Sequence, residues 1–372
     1  MSYFQKQYKM MTTKPKLKVL VAWSGGKDSQ ASLIWAIKES GFKKETIEAV
    51  FCDTGWEHED TYKQVTSVAE ELGVKLVIVK SKKYNGFVDM AVKKKRFPST
   101  KARFCTEELK TKPMIDYILD ECGDVLVIQG IRADESRNRS LMSKQCSYFR
   151  YYFEPYKYVG KYDKLVRDLE KIKIGKKEMT DEIVKKSNKL APGKIDQSYD
   201  ALIDELGKLN ILPENRKPVF HTYRKKEIIE FRKSYSDDVL RPVFEWTGSQ
   251  IMGYILDNGQ KPNPLYYKGA ARVGCFPCIM CSKKEINMMV EHFPEHLDKI
   301  RNAEKEVGRT FFSPDYIPNK YQTGFDSKSK KKIPNVDDVI RYVKDKNSNL
   351  DMFEEEDKKT DRRCMSFYGI CE

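Results

Sequence analysis

Ser24-Gly25-Gly26-Lys27-Asp28-Ser29 joins a short apolar run, Leu17 to Trp23, to a stretch with apolar residues at helical spacing (Leu33, Ile34, Ile37). Adjacent glycines let the backbone turn sharply, so that its N–H groups converge on an anion at the positive end of the helix dipole. Lys27 supplies a mobile cation to phosphates, and Ser24 and Ser29 supply hydroxyl donors. The spacing is not that of a Walker loop, G-x-x-x-x-G-K-[ST]. A bland Gly-Gly turn would also fit two glycines, but the strand-loop-helix context and all six residues together favour the anion cradle. Phosphoryl or nucleotidyl transfer needs the phosphate charge neutralised, and Lys110 and Arg132 stand at loops and strand ends where they can do so. Asp53, at another strand end, has the chemistry to hold Mg2+ or a ribose, and Gly130 follows a third strand. The alternatives are surface charges at Lys110 and Arg132 and a turn former at Asp53.

Cys275-x-x-Cys278-x-x-Cys281 puts three thiols on one tight loop, a spacing at which thiolates converge on a metal or a cluster edge. Zinc is a competing reading, because His292-x3-His296 follows Cys278 after thirteen residues, within the Cys2His2 range. Pro294 between the two histidines weighs against it. Reduced cysteines packed as small hydrophobes are the third possibility. Cys52, Cys122 and Cys146 fall at or beside core elements and read that way, and Cys371 near the end reads as incidental. His58 and His221 have no partner in the sequence.

Alternating strands and helices must position these groups. Ile47 to Cys52, Lys75 to Val79 and Asp124 to Gln129 read as further strands, and His58 to Leu72 and Pro113 to Cys122 as helices. That alternation implies a doubly wound α/β fold with a parallel sheet, whose ligands sit beyond the carboxyl ends of the strands. Residues 1–150 form this nucleotide-binding domain. Residues 151–217 read as an inserted Lys-rich helical segment, with helical spacing in Tyr162 to Ile174 and Ser198 to Leu209. Residues 218–300 carry the cysteine cluster, with an irregular Pro, Gly, Trp and Cys-rich stretch from Pro242 to Cys281. Residues 301–372 read as a helical and basic tail, with a basic loop at Ser327 to Pro334 and a helix at Val336 to Asp345.

Composition limits the function classes. Forty per cent hydrophobic residues, with 21 Tyr and 18 Phe, argue against a disordered chain. The longest apolar runs fall far short of the ~20 residues that span a bilayer. The first 18 residues are polar and lysine-rich without a secretory cleavage pattern, so the chain reads as a cytoplasmic protein with no membrane partner. Nine cysteines in a chain of 372 residues suit thiols or metal ligands rather than a disulfide framework. The formal net charge is +14, concentrated in patches such as Lys93, Lys94, Lys95, Arg96, Lys101 and Arg103 and the cluster from Lys328 to Lys332. Such patches suit a polyanion, although a solvated lysine-rich surface has the same composition.

The Ser24 to Ser29 loop resembles the pyrophosphatase loop of the adenine nucleotide alpha hydrolases, which split ATP between the α and β phosphates with Mg2+ at the loop. Further segments resemble the phosphoadenosine phosphosulfate (PAPS) reductase-like branch: Asp53-Thr54-Gly55, Arg103-Phe104-Cys105-Thr106 with Leu109-Lys110 and Pro113, and Gly130-Ile131-Arg132 with Glu135-Ser136. Arg241-Pro242 with Trp246, Asn263-Pro264-Leu265-Tyr266 with Gly269, and Arg272-Val273-Gly274-Cys275-Phe276-Pro277-Cys278-Ile279 complete it. The resemblance implies ATP and Mg2+ as cofactors, with Lys27, Asp28, Lys110 and Arg132 catalytic and Ser24, Gly25, Gly26, Ser29, Asp53 and Gly130 binding the nucleotide. It also implies Cys105 as the fourth thiolate beside Cys275, Cys278 and Cys281 around a [4Fe-4S] cluster. PAPS reductases of that branch have a degenerate loop without the lysine and a reactive cysteine in a terminal Glu-Cys-Gly motif. This chain keeps Lys27 and Asp28 and ends Tyr368-Gly369-Ile370-Cys371-Glu372, which favours ATP cleavage over sulfate reduction. The implied function resembles that of the ATPases of DNA phosphorothioation, with nucleic acid as acceptor and a cysteine desulfurase as sulfur donor. A PAPS or adenylyl sulfate reductase, a nucleotide-binding regulator without turnover and a tRNA thiolase are the competing functions. No helix-turn-helix or RNA-recognition signature accompanies the basic patches.

Overall fold

Runs of Val, Ile, Leu and Ala lay down the central sheet. The computed structural model describes residues 17–100, 102–121, 123–149, 163–175, 177–194, 196–210, 225–326 and 330–347. Cys122, His221, Cys371, Lys101 and Lys328 lie outside them. Six strands, β1 (Lys18–Ala22), β2 (Ile47–Cys52), β3 (Lys75–Val79), β4 (Val125–Gln129), β5 (Gln145–Cys146) and β6 (Asp237–Leu240), form one sheet in the order β3-β2-β1-β4-β6-β5. β1 pairs in parallel with β2 and β4, β2 with β3, and β4 with β6. Every residue of β2 and of β4 is buried, as continuous apolar runs require when helices cover both faces. The fold is therefore the α/β parallel-sheet class read from the sequence.

The chain runs outward from β1 through β2 and β3, then returns to set β4 on the other flank of β1. That reversal opens a crevice at the carboxyl ends of β1 and β4, the place where open α/β sheets bind ligands. Helix α1 (Lys27–Lys38) leaves β1 through the glycine loop and buries Leu33 and Ile34 against Val19, Val21 and Ile128. Each such side chain contributes about 1.5–3 kcal/mol by leaving water. Helix α2 (Glu59–Glu71) starts at His58, whose Nδ1 accepts from the Asp60 N–H at 3.0 Å.

Two stretches differ from the sequence reading. The segment from Pro242 to Cys281, expected to be irregular, contains the helix Gly248–Asp257, whose Ile251 and Ile255 are buried in the core of the sheet. Thr247 and Gln250 form a reciprocal capping box at its start, a signal the sequence carried. The expected basic loop at Ser327 to Pro334 includes a strand, Lys331–Ile333, antiparallel to Gly324–Asp326.

Contacts divide the chain into two compact units, Met1–Gln145 with Phe231–Glu372, and Cys146–Glu230. In the first, a second core joins Trp56, Phe87 and Met90 to Phe276, Ile286, Met289, Leu297, Phe311 and Val339. This core holds the cysteine segment and the helices Lys283–His292, Pro294–Val307 and Val336–Asn347. The second unit has its own small core of Leu165, Leu169, Ile183, Ala191, Leu202 and Leu206.

Candidate active site

The glycine loop folds on itself through its serines. Ser24 and Ser29 hydroxyls lie 2.9 Å apart, and Ser29 Oγ donates to the Gly26 carbonyl at 2.9 Å. Gly25 has φ +80°, and a Cβ there would meet Thr61 Cγ2 at 2.7 Å, so conformation and space both call for glycine. Gly26, the residue before α1, has no side chain to cap the helix start, and the N–H of Lys27 is met instead from a distant segment. Gly130 presses on the same turn, because a Cβ there would sit 2.4 Å from Ser29 N.

Segments distant in sequence complete the cradle. The Tyr266 hydroxyl accepts from Lys27 N–H at 3.1 Å, while the Lys27 ammonium lies 4.9 Å from the centre of the Tyr266 ring. Asn263 Nδ2 donates to Thr61 Oγ1 at 3.2 Å, and Thr61 Oγ1 donates to the Val273 carbonyl at 2.6 Å. The two later motifs are thereby pinned to α2 behind the glycine loop. Arg132 Nε reaches Asp28 Oδ1 at 2.6 Å and its Nη1 reaches the half-exposed Asp134 at 2.5 Å, so two of the four expected catalytic residues, Asp28 and Arg132, form a buried ion pair. Lys27 Nζ stands 3.9 Å from the other Asp28 oxygen.

A cavity beside the loop is lined by Ser24, Ser29, Cys52, Glu57, Lys110, Gly130 and Gly274, among others. Lys110 stands on a π-helical turn, Glu107–Thr111, just ahead of the helix Lys112–Asp120. Such turns re-aim single side chains and recur at functional sites. Cys52, buried as expected, donates to the Lys110 carbonyl at 3.5 Å. The carboxylate on this cavity is Glu57, which the sequence reading did not single out. It accepts from Thr54 Oγ1 at 2.6 Å, Thr54 N–H at 3.1 Å, Trp56 N–H at 3.2 Å and Tyr62 OH at 3.1 Å. Its place two residues after the Asp53-Thr54-Gly55 motif was the available signal. Asp53 is engaged by Tyr62 OH at 2.7 Å, Gly55 N–H at 2.8 Å and Lys80 at 2.8 Å. Burial alone would raise the Asp53 carboxyl, but the bonds from Lys80, Tyr62 and Gly55 outweigh it and hold it below the usual range.

Cys105, Cys275 and Cys278 line a second cavity, together with Arg103, Thr54 and the same Lys110. The cysteine segment is fastened there by backbone. Phe276 N–H donates to the Trp56 carbonyl at 2.8 Å, and Trp56 Nε1 donates to the Pro277 carbonyl at 2.9 Å. Cys275 Sγ lies 3.7 Å from Glu57 Oε1. Cys281 is buried on the wall of another, larger cavity, with its sulfur 4.0 Å from the Tyr316 hydroxyl. Burial pushes the Cys281 thiol well up, and Glu285 and Cys278 add to the effect.

Among the described residues, no three His, Cys, Asp or Glu side chains gather as ligands for a metal ion. This applies equally to the four-cysteine set and to Cys275, Cys278, His292 and His296. The donors fit a cluster in kind, being four thiols, but in placement only Cys105, Cys275 and Cys278 line one cavity while Cys281 lines its neighbour. His296 is instead stacked on His58, with centroids 4.6 Å apart and planes 12° apart, and packed edge-on to Phe276. Burial holds both imidazoles below the ordinary histidine value.

Comparisons with known proteins identify a family for this chain. The profile of the phosphoadenosine phosphosulfate reductase domain matches residues 18–145 and 149–281. An uncharacterised 37.8 kDa protein of Escherichia phage 186 is 25% identical over 355 residues, covering 81% of this chain and 80% of its own length. An uncharacterised protein of Methanocaldococcus jannaschii is 26% identical over 294 residues, covering 79% of this chain but 42% of its own length. The crystal structure of phosphoadenylyl-sulfate (PAPS) reductase from Candida auris, a phosphate complex, is 16% identical, with a TM-score of 0.36 over 74% of this chain and 89% of that one. With the domain profile matched across most of its length, this chain belongs to the phosphoadenosine phosphosulfate reductase domain family.

Proposed function

We propose that the chain is an ATP pyrophosphatase that adenylylates an acceptor and couples this step to sulfur transfer onto nucleic acid. The observation that carries the reading is the lysine-bearing glycine loop, seated at the carboxyl end of β1 with Gly130 packed against it and Lys110 in the lining of the adjoining cavity. In the reaction, a nucleophilic oxygen of the acceptor bonds to the α-phosphorus of ATP. The bond from that phosphorus to the bridging oxygen breaks, and pyrophosphate leaves with the electron pair. Loop N–H groups and Lys27 take up the charge on the departing pyrophosphate, and Lys110 in the cavity lining adds a second cation. Arg132 positions Asp28 at the start of α1. Mg2+ supplies charge neutralisation to the phosphates, and Glu57 and Asp53 are the carboxylates that would hold it or the ribose.

An iron–sulfur cluster on Cys105, Cys275, Cys278 and Cys281 would supply sulfur or electron chemistry next to Lys110, with zinc as the alternative occupant. A sulfur-donor protein such as a cysteine desulfurase is the implied partner. The deciding experiment measures pyrophosphate release from Mg-ATP by anaerobically purified protein, with and without duplex DNA, tRNA and adenylyl sulfates. Release stimulated by a nucleic acid is expected. Consumption of an adenylyl sulfate alone, with sulfite appearing, would replace this reading with that of a reductase.

A further inference from the structure

A cavity of about 520 Å³, within the usual range of ligand pockets, lies next to the thiol cavity. Ile279 and Met280 line both, just as Lys110 lines both the thiol cavity and the loop cavity. The three spaces therefore adjoin in the order loop cavity, thiol cavity, large cavity. The large cavity has two kinds of wall. One is aromatic, where the Phe312 and Tyr316 rings lie 4.8 Å apart and tilted by 34°. The other is cationic, with Lys95, Arg96, Lys283 and Arg309 among its residues. Asp315 and Asp326 are the acids of this lining, and Asp326 is paired with Arg309 at 2.8 Å.

A small inorganic anion would leave the aromatic wall unused, and an aliphatic ligand would bring no charge to Lys95 and Arg96. A nucleotide meets both, because every base has a face that stacks on aromatic rings and every phosphate pairs with Lys or Arg. A space of this size holds an unstacked nucleotide and not a duplex. We propose that this cavity receives one nucleotide of a single-stranded or locally opened nucleic acid, with its base against Phe312 and Tyr316 and its phosphates against Lys95, Arg96 and Lys283. The assignment rests on the nucleic-acid acceptor reading above and gives that acceptor its entry point, on the side of the thiols away from the phosphate loop.

The test uses the full chain and a short fluorescein-labelled single-stranded oligodeoxynucleotide, followed by fluorescence anisotropy over a range of salt concentrations. Binding should weaken steeply with salt, and Arg96→Glu combined with Lys95→Glu should weaken it roughly tenfold or more. Both side chains are exposed, so the charge reversals leave the core intact. Tyr316→Leu should weaken binding roughly fivefold or more through lost stacking. Lys27→Ala should leave oligonucleotide binding unchanged, which separates this site from the phosphate loop. Charge-reversed and Tyr316→Leu proteins that bind like the unaltered chain would overturn the proposal. So would displacement of the strand by AMP at equal nucleotide concentration, which marks a free-nucleotide pocket, or tighter binding of an intact duplex. Variant-sensitive strand binding in a protein that releases no pyrophosphate would leave this site standing and sink the ATP pyrophosphatase reading alone.

Discussion

Lys27 holds its ammonium over the Tyr266 ring and its N–H under the Tyr266 hydroxyl, so one aromatic residue 239 positions away shapes both of its polar groups. Lys27 opens α1, and its side chain belongs to neither hydrophobic core of the first unit. Lys27→Ala should therefore abolish pyrophosphate release while leaving the thermal midpoint within a degree or two, and retained turnover would remove its assigned role. Gly130 makes the opposite case. A methyl group there meets the Ser29 backbone at 2.4 Å, and backbone cannot step aside as a flexible side chain can. Gly130→Ala should cost about 1–3 kcal/mol of stability and loosen ATP binding together. Calorimetric unfolding and ATP titration should move in concert, and an unchanged pair would show that the contact relaxes freely.

β2 carries a single acid into its otherwise apolar run. Glu48 is buried, and it accepts from Lys75 at 2.8 Å, Lys18 at 3.3 Å and Tyr117 OH at 2.5 Å. Burial would raise its carboxyl, but Lys75, Tyr117 and Lys18 together bring it below its ordinary value of 4.5. A carboxyl lowered on folding stabilises the fold above its ordinary value, and the contribution is lost as pH falls through the folded value. Glu48→Gln should thus cost about 1 kcal/mol at neutral pH, the low end for charged hydrogen bonds because Lys75 is largely exposed. The difference should shrink in acid. Urea unfolding at both pH values checks this, and an equal loss at each would exclude the charge as the cause.

At the scale of the molecule, the cysteine segment ties residues near 275 to the end of β2 and brings Cys105 to the same cavity wall. A cluster bound there would staple segments some 170 positions apart in the first unit. Protein purified without oxygen should be brown, Cys278→Ser should bleach it, and stripping the iron should lower the thermal midpoint by several degrees. A colourless protein with stoichiometric zinc would give the thiols to zinc instead.

Sequence alone determined the parallel sheet and its glycine loop, because strand periodicity, glycine spacing and helix starts are written in consecutive residues. Strands at Ile47 to Cys52 and Lys75 to Val79 were legible to the residue for that reason. The helix Gly248–Asp257 was hidden by its Pro, Gly and Trp neighbours, although Thr247 and Gln250 announced its start. Only tertiary structure decided that Arg132 pairs with Asp28 across 104 positions, that Glu57 faces the loop cavity, and that Cys281 lies on a different wall from Cys275 and Cys278. Each of these depends on the direction a side chain takes once distant elements pack, and spacing along the chain does not encode that direction.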